Sequence, residues 1–327
     1  PGAHHLASTK AIDGCYNTHP YEAAFRIRDL FYNAHFVHSH IAHFYALASA
    51  DFVMGPAAPV AERNVLGVIG KVGLELGGAV LRTRSKAQRI QAMIGGKATH
   101  PVMGVPGGVS IALNKEDQRE ILSYAEDMVE FAKTTMGVFK SVVLGNKDYV
   151  DIIANPDLYY QESYYMGLAG KDNALEFHDG PVRVVDQSRK EKYKFDPYDY
   201  LDYVAEASEP WSYQKFPYLR KIGYKGQYSG PDSGLYRAAP LARINVCESI
   251  STPEAQSELD NFRGFFKDLG VDGPVNFTLA THWARIIEMI HAAERAVVNA
   301  SDKDLTNSDI KQPDIVPGGR GDRKSVV

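Results

Sequence analysis

The chain has 327 residues, enough for two domains of average size or one large one. With 44% hydrophobic and 23% charged residues and a net charge of −4, it reads as an ordinary globular protein, with no basic excess to draw it to nucleic acid or anionic lipid. Two cysteines argue against a disulfide scaffold and for a reducing, cytoplasmic setting. No apolar run reaches the roughly 18 residues a membrane span needs, and the start carries no signal-peptide pattern.

Residues 1–14 favour helix through Ala, Leu and Lys, and a turn comes next at residues 17–20. Residues 21–50 form a long helical stretch: Ala24, Ile27, Leu30, Phe31, Ala34, Val37, Ile41, Phe44 and Tyr45 recur at spacings of three and four. Gly55-Pro56 ends it. Residues 60–96 read as helix again, but with glycines at 67, 70, 73, 77 and 78, each costing about 1 kcal/mol in a helix interior. A close helix crossing or a loop between two helices would both account for them. Residues 95–110 are turn-rich, and Gly107-Gly108 suits a tight turn or a close backbone approach. Asn114 is placed to cap a helix running to about Phe139, with Asp117 and Glu120 near its start.

From residue 150 the texture changes: Tyr, Gly and Pro rise, helical periodicity fades, and residues 175–177 and 182–185 suggest strands. Helix returns over residues 253–269, with Pro253 at its first position, and over 275–299. The tail from Ser301 is irregular, with Gly318-Gly319-Arg320-Gly321 as a flexible loop. The expected organisation is a first helical part (1–149), an α/β insertion (150–245), a second helical part (246–300) and an irregular tail (301–327). The fold class is α+β, mainly helical. The basic runs at 82–89 and 189–194 read as solvated faces.

Most familiar chemistries are missing. Of eleven histidines, four crowd one helix: His35, His38, His40 and His43. At about 100° per residue, His35 neighbours His38 and His40 neighbours His43, while His38 and His40 diverge. Polar packing between buried helices is the default reading, with a metal site on this helix as the rival. Cys15 and Cys247 belong to no Cys-x-x-Cys pair and read as inert thiols. No phosphate-cradling glycine loop and no Gly-x-Ser-x-Gly elbow is present.

Three ordered segments resemble the large subunit of [NiFe] hydrogenases. Pro1-Gly2-Ala3-His4-His5-Leu6-Ala7-Ser8 resembles the stretch just after that family's first Cys-x-x-Cys motif. Ile27-Arg28-Asp29 through Ser39-His40-Ile41-Ala42-His43-Phe44 resembles its Ser-His-x-x-His-Phe helix. Gly95-Gly96-Lys97-Ala98-Thr99-His100-Pro101, then Val105-Pro106-Gly107-Gly108, resembles its Gly-Gly-Lys…His-Pro motif, and Pro240-Leu241-Ala242-Arg243 is a further familiar stretch. The resemblance is strongest to the cytoplasmic viologen-reducing branch linked to heterodisulfide reductase, with the NAD-reducing enzymes second.

The resemblance implies a long-helix core, reversible oxidation of H2, and a Ni–Fe centre with CO and CN ligands plus a magnesium site. The partner it implies is an iron–sulfur small subunit, with heterodisulfide reductase or a diaphorase module beyond it. His4 is then expected beside a bridging cysteine sulfur, Ser39 near the metals where membrane-bound relatives carry aspartate, and His100 at the electron-transfer face toward the small subunit. The four nickel cysteines of the family have no counterpart here. They are expected just before Pro1 and after Val327, so that no cofactor binds these 327 residues alone. A non-enzymatic electron-transfer subunit of complex I type, sharing the fold without the nickel site, is the alternative.

Overall fold

A computed structural model describes residues 1–226, 230–318 and 321. The expected loop at Gly319-Arg320 and the end of the chain at Val327 lie outside the described residues. Contacts divide the described residues into two compact units: Pro1–Tyr149 together with residues 285–318 and 321, and Val150–Ala284.

The first unit is helical. It holds α1 (Gly2–Cys15), α2 (Glu22–Ala42), α3 (Ser49–Val53), α4 (Val65–Val72), α5 (Leu74–Gly95), a hairpin of β1 (Gly104–Val105) and β2 (Gly108–Val109), and α6 (Lys115–Phe139). The short α7 (Lys147–Ile153) crosses into the second unit. α2 is the centre: Ala24, Ile27, Leu30, Phe31, Ala34, Val37 and Ile41 are wholly buried. Because Arg28, Asp29, Asn33 and His40 are buried too, apolar and polar faces are both enclosed. At His43–Ala48 the helix widens into a π-helical turn before α3, a device often found at functional sites.

The glycine-rich stretch resolves as two helices. Asn64 caps α4 by accepting hydrogen bonds from the backbone N–H of Leu66 and Gly67. Gly73, at φ +91°, ends α4 and turns the chain into α5. At the start of α6, Asn114 and Asp117 form a capping box.

The second unit carries a sheet of β3 (Tyr164–Ala169), β4 (Leu175–Glu176), β5 (Val182–Val185) and β6 (Glu191–Phe195) in the order β4-β3-β5-β6, antiparallel throughout. The chain continues through α8 (Tyr200–Tyr203), an antiparallel hairpin of β7 (Val204–Glu209) and β8 (Ser212–Leu219), and β9 (Tyr236–Arg237), which pairs parallel to β3. Strand alternation splits the core. Tyr164, Met166, Val182 and Val184 pack on one face with Phe195, Val204 and Leu219. Tyr165 and Val185 face α9 (Ala239–Val246) through Ala242 and Val246. Next come α10 (Pro253–Asp268) and the start of α11 (Thr281–Ser301), which belongs to the first unit from Arg285. The result is α+β and mainly helical, as the sequence implied.

Candidate functional site

The candidate residues of the first unit are positioned by α1, α2 and the loop after α5. His4 is exposed, one turn into α1. The start of α1 lies tightly against α2: a side-chain carbon at Gly2 would fall 2.9 Å from Nδ1 of His35, so only glycine fits. His4 is also close enough to His35 to act on its imidazole electrostatically. Ser39, half-buried, sits one turn beyond His35 on α2. The structure thus brings His4 to the turn of α2 that precedes Ser39.

His100 is elsewhere. It is exposed, at φ +56°, a backbone conformation costly for a residue with a side chain. Its loop is closed by the bond from Val102 N–H to the Gly95 carbonyl, 2.9 Å. Gly95 packs against Phe31 of α2, eight residues or about 12 Å along the helix from Ser39.

A buried ion pair ties these pieces together. Arg28, 1% exposed, donates to both carboxylate oxygens of Asp13 on α1 and to the carbonyls of Val105 and Gly108 in the β1–β2 hairpin. Asp13 also accepts from Gly107 N–H at 2.8 Å, and the His5 ring accepts from Gly104 N–H at 3.1 Å. Gly107 is at φ +67°, and a side chain on Gly108 would strike the Ile310 carbonyl at 2.0 Å. The turn and the close approach expected of Gly107-Gly108 are both present.

The other face of α2 makes a polar seam with α11. Arg285 Nη1 lies 3.1 Å from His40 Nδ1, and His40 Nε2 lies 3.0 Å from the wholly buried Glu288. A guanidinium only donates, so Nδ1 accepts and the Nε2 proton points at the carboxylate. Further along, Asp29 accepts from Asn33 at 2.9 Å, Arg295 at 2.6 Å and Asn299 at 2.7 Å. His291, fully buried on the same helix, is pushed down to about 3, by its burial first and by Arg295 second.

Burial likewise lowers His35 and His38 to about 4, with Arg84 adding to the effect on His38. Burial raises the Tyr45 phenol to about 12, against the bond it shares with Thr135. His35 and His38 are therefore neutral packing groups. Among the described residues no three His, Cys, Asp or Glu side chains converge on a point that would hold a metal ion.

A nickel–iron centre needs thiolates. The two thiols here lie in different units: Cys15 is half-buried at the end of α1, and Cys247 is buried with its thiol toward the Ile244 carbonyl, 3.5 Å away. This donor set does not fit such a centre by itself, and no reaction step is assigned to it. Sequence reasoning passed over Asp13, Arg285 and Glu288; it named Arg28 within a motif, His38 among the crowded histidines and Arg84 within a basic run, without the contacts they make here.

The family "Nickel-dependent hydrogenase" matches residues 1–64. The vhu F420-non-reducing hydrogenase of Methanocaldococcus jannaschii has a subunit that is 39% identical over 94% of this chain and 69% of its own length. An F420-non-reducing hydrogenase iron-sulfur subunit of Archaeoglobus profundus is also 39% identical, over 94% of this chain. This chain spans only 62% of the length of that relative. The HoxS subunit beta of the NAD-reducing hydrogenase of Cupriavidus necator is 32% identical over 93% of this chain and 61% of its own length. Among solved structures, an NAD+-reducing [NiFe]-hydrogenase in its H2-reduced state superposes with a TM-score of 0.84 at 29% identity, covering 99% of this chain and 67% of that one. The [NiFeSe] hydrogenase of Desulfovibrio vulgaris shares the fold at a TM-score of 0.68. Identity sustained across nearly the whole chain, together with the same fold, carries the assignment: the chain belongs to the nickel-dependent hydrogenase large-subunit family.

Proposed function

We propose that these residues form the body of a hydrogenase large subunit whose whole protein catalyses H2 ⇌ 2 H⁺ + 2 e⁻ at a Ni–Fe centre with CO and CN ligands. Electrons pass to an iron–sulfur small subunit. The observation that carries this is the 39% identity to subunits of F420-non-reducing hydrogenases over 94% of this chain. The higher identity to those subunits than to the NAD-reducing relative favours the viologen-reducing, heterodisulfide-reductase-linked branch. A magnesium site and a cytoplasmic location go with the same reading. No helix among the described residues is long and apolar enough to cross a membrane. The complex-I-type alternative has no observation in its favour.

Within this reading, His4 is the residue of this chain that lies against the metal centre, as its exposed position at the start of α1 allows. Ser39 can offer an uncharged hydrogen bond in the same neighbourhood. His100, rigidly presented in a strained loop, meets the small subunit near its closest cluster. The nickel-binding cysteines come from sequence flanking these residues. Reading the gene on both sides tests this: two Cys-x-x-Cys motifs are expected, and intact flanks without them would end the proposal. The protein purified with its small subunit should reduce benzyl viologen under hydrogen. His4→Ala should abolish the dye reduction and change the metal spectroscopic signals, whereas His100→Ala should slow dye reduction and leave those signals in place.

A further inference from the structure

α4 and the first half of α5 leave an apolar face in the open. Leu66, Leu74 and Leu81 are 79%, 84% and 64% exposed. Isolated exposed leucines are ordinary, but a group of them on one pair of joined helices marks an interaction surface. Beneath this face lies a cavity of about 220 Å³ lined by Ile41, Tyr45, Val68, Ile69, Val80 and Leu81. Leu81 therefore belongs to both the cavity wall and the exposed face. A side chain built at Gly70 or at Gly73 would meet nothing within 4 Å, so the junction of the two helices is open to close approach.

The cavity has one charged wall. Arg84 comes one helical turn after Val80 and Leu81 and lines the same space. Its Nε is buried and has no hydrogen-bond partner among the described residues, and the same holds for both ring nitrogens of His38. His38 shares the α2 face that carries Ile41, Ala42 and Tyr45, and Arg84 is near enough to act on its imidazole. Native proteins seldom keep buried donors without acceptors. Between residues 65 and 84 three cations, Lys71, Arg82 and Arg84, stand against one carboxylate, Glu75. None of those cations has an ion-pair partner among the described residues.

We propose that this groove docks a segment of another polypeptide, one that inserts a bulky apolar side chain into the cavity and sets a carboxylate, within a helical turn of it, against Arg84 and His38. The apolar anchor supplies burial, and the carboxylate supplies the acceptors that the buried donors lack. The positive balance of the two helices selects an acidic partner over a basic one. None of this depends on the hydrogen chemistry proposed above.

Octanoate and 1-octanol serve as probes of the anchor chemistry, titrated calorimetrically into the purified protein. Octanoate should bind about tenfold more tightly than the alcohol, the scale of one charge-assisted contact. Arg84→Gln should erase that preference, Arg84→Lys should restore most of it, and Leu81→Glu should weaken both probes. The substituted positions are at or near the surface, and unchanged melting temperatures would show that each variant folds. Equal affinities for the two probes, or a preference that survives Arg84→Gln, would overturn the proposal. In the protein as assembled with its partners, a photoreactive benzoylphenylalanine in place of Leu74 should crosslink to a different polypeptide. The captured peptide should hold a bulky apolar residue within four positions of an Asp or Glu. A crosslink into a second copy, into the same polypeptide or into a peptide without that pattern would overturn it, as would no crosslink at all.

Discussion

Replacing Arg28 by Met keeps the length of the side chain and removes its charge. The structure sets the cost. Asp13, whose side chain is 10% exposed, would keep the Gly107 N–H and lose both guanidinium contacts. The carbonyls of Val105 and Gly108 would lose their donors as well. Breaking a buried pair from one side costs about 3–5 kcal/mol, because the surviving charge stays buried without compensation. That is a large share of the roughly 5–15 kcal/mol by which a folded protein is stable. Both tryptophans, Trp211 and Trp283, lie in the second unit, so their fluorescence does not report on this loss. Hydrogen exchange followed by mass spectrometry does. In Arg28→Met the amides of α1 and of the β1–β2 hairpin should lose protection together, by a factor of about 100 or more, on the order of the energy above. Adding Asp13→Asn should recover part of the loss, since the stranded charge is gone. Protection within about tenfold of the parent, or a double variant worse than the sum of the singles, would refute the assignment of Arg28 as the tie between α1, α2 and the hairpin.

The geometry sets four further outcomes. His291 is held neutral by burial, with its folded value near 3 and its unfolded value near 6.5. The unfolded chain therefore takes up the proton first, so the contribution is complete above pH 6.5 and is lost as pH falls toward 3. Below about pH 6.5 the urea midpoint should fall, and His291→Asn should flatten the slope by about 1.4 kcal/mol per pH unit; parallel slopes would contradict this. Asn114→Ala should cost about 1 kcal/mol and expose the Glu116 and Asp117 amides to exchange, while unchanged exchange there would contradict the capping box. Gly137→Ala on α6, where a side chain meets nothing within 4 Å, should stabilise by about 0.5–1 kcal/mol. Gly104→Ala, whose side chain would fall 1.9 Å from Thr9 Oγ1, should destabilise by about 1–3 kcal/mol, and melting temperatures moving together would count against both assignments.

Local physics was legible in the sequence. Asn114 and Asp117 mark the start of α6, and the α-helical part reaches Phe139 as periodicity suggested before running on as a π-helical turn through Leu144. Pro253 opens α10 as its fixed φ requires. The crowded glycines left two readings open, and Gly73 decides for a break between helices. The last helix begins at Thr281, later than its apolar pattern suggested. Residues 275–277 are held out of the helix by partners far away in the sequence: Asn245 bonds both backbone groups of Val275, and Tyr160 bridges Phe277. Propensity cannot foresee a partner so far away, and here tertiary contacts override it.

The site divides the same way. Helical geometry correctly separated His38 from His40, but it could not show that His40 meets Arg285, 245 residues on, and Glu288. The basic run at 82–89 is also only partly a solvated face. Lys86 pairs with Asp127 and Arg89 with Glu120 across to α6, while Arg84 turns toward the cavity. His4, Ser39 and His100 were singled out through ordered motifs alone. Their neighbours add the tight seat of Gly2 on His35 and the positive φ of His100.

The most direct test of the central claim is the metal content of the whole protein purified under hydrogen with its iron–sulfur partner. The account predicts one nickel per large subunit, with iron beyond what the partner's clusters hold, in a preparation that reduces viologen dye from H2. An active preparation without nickel would contradict it.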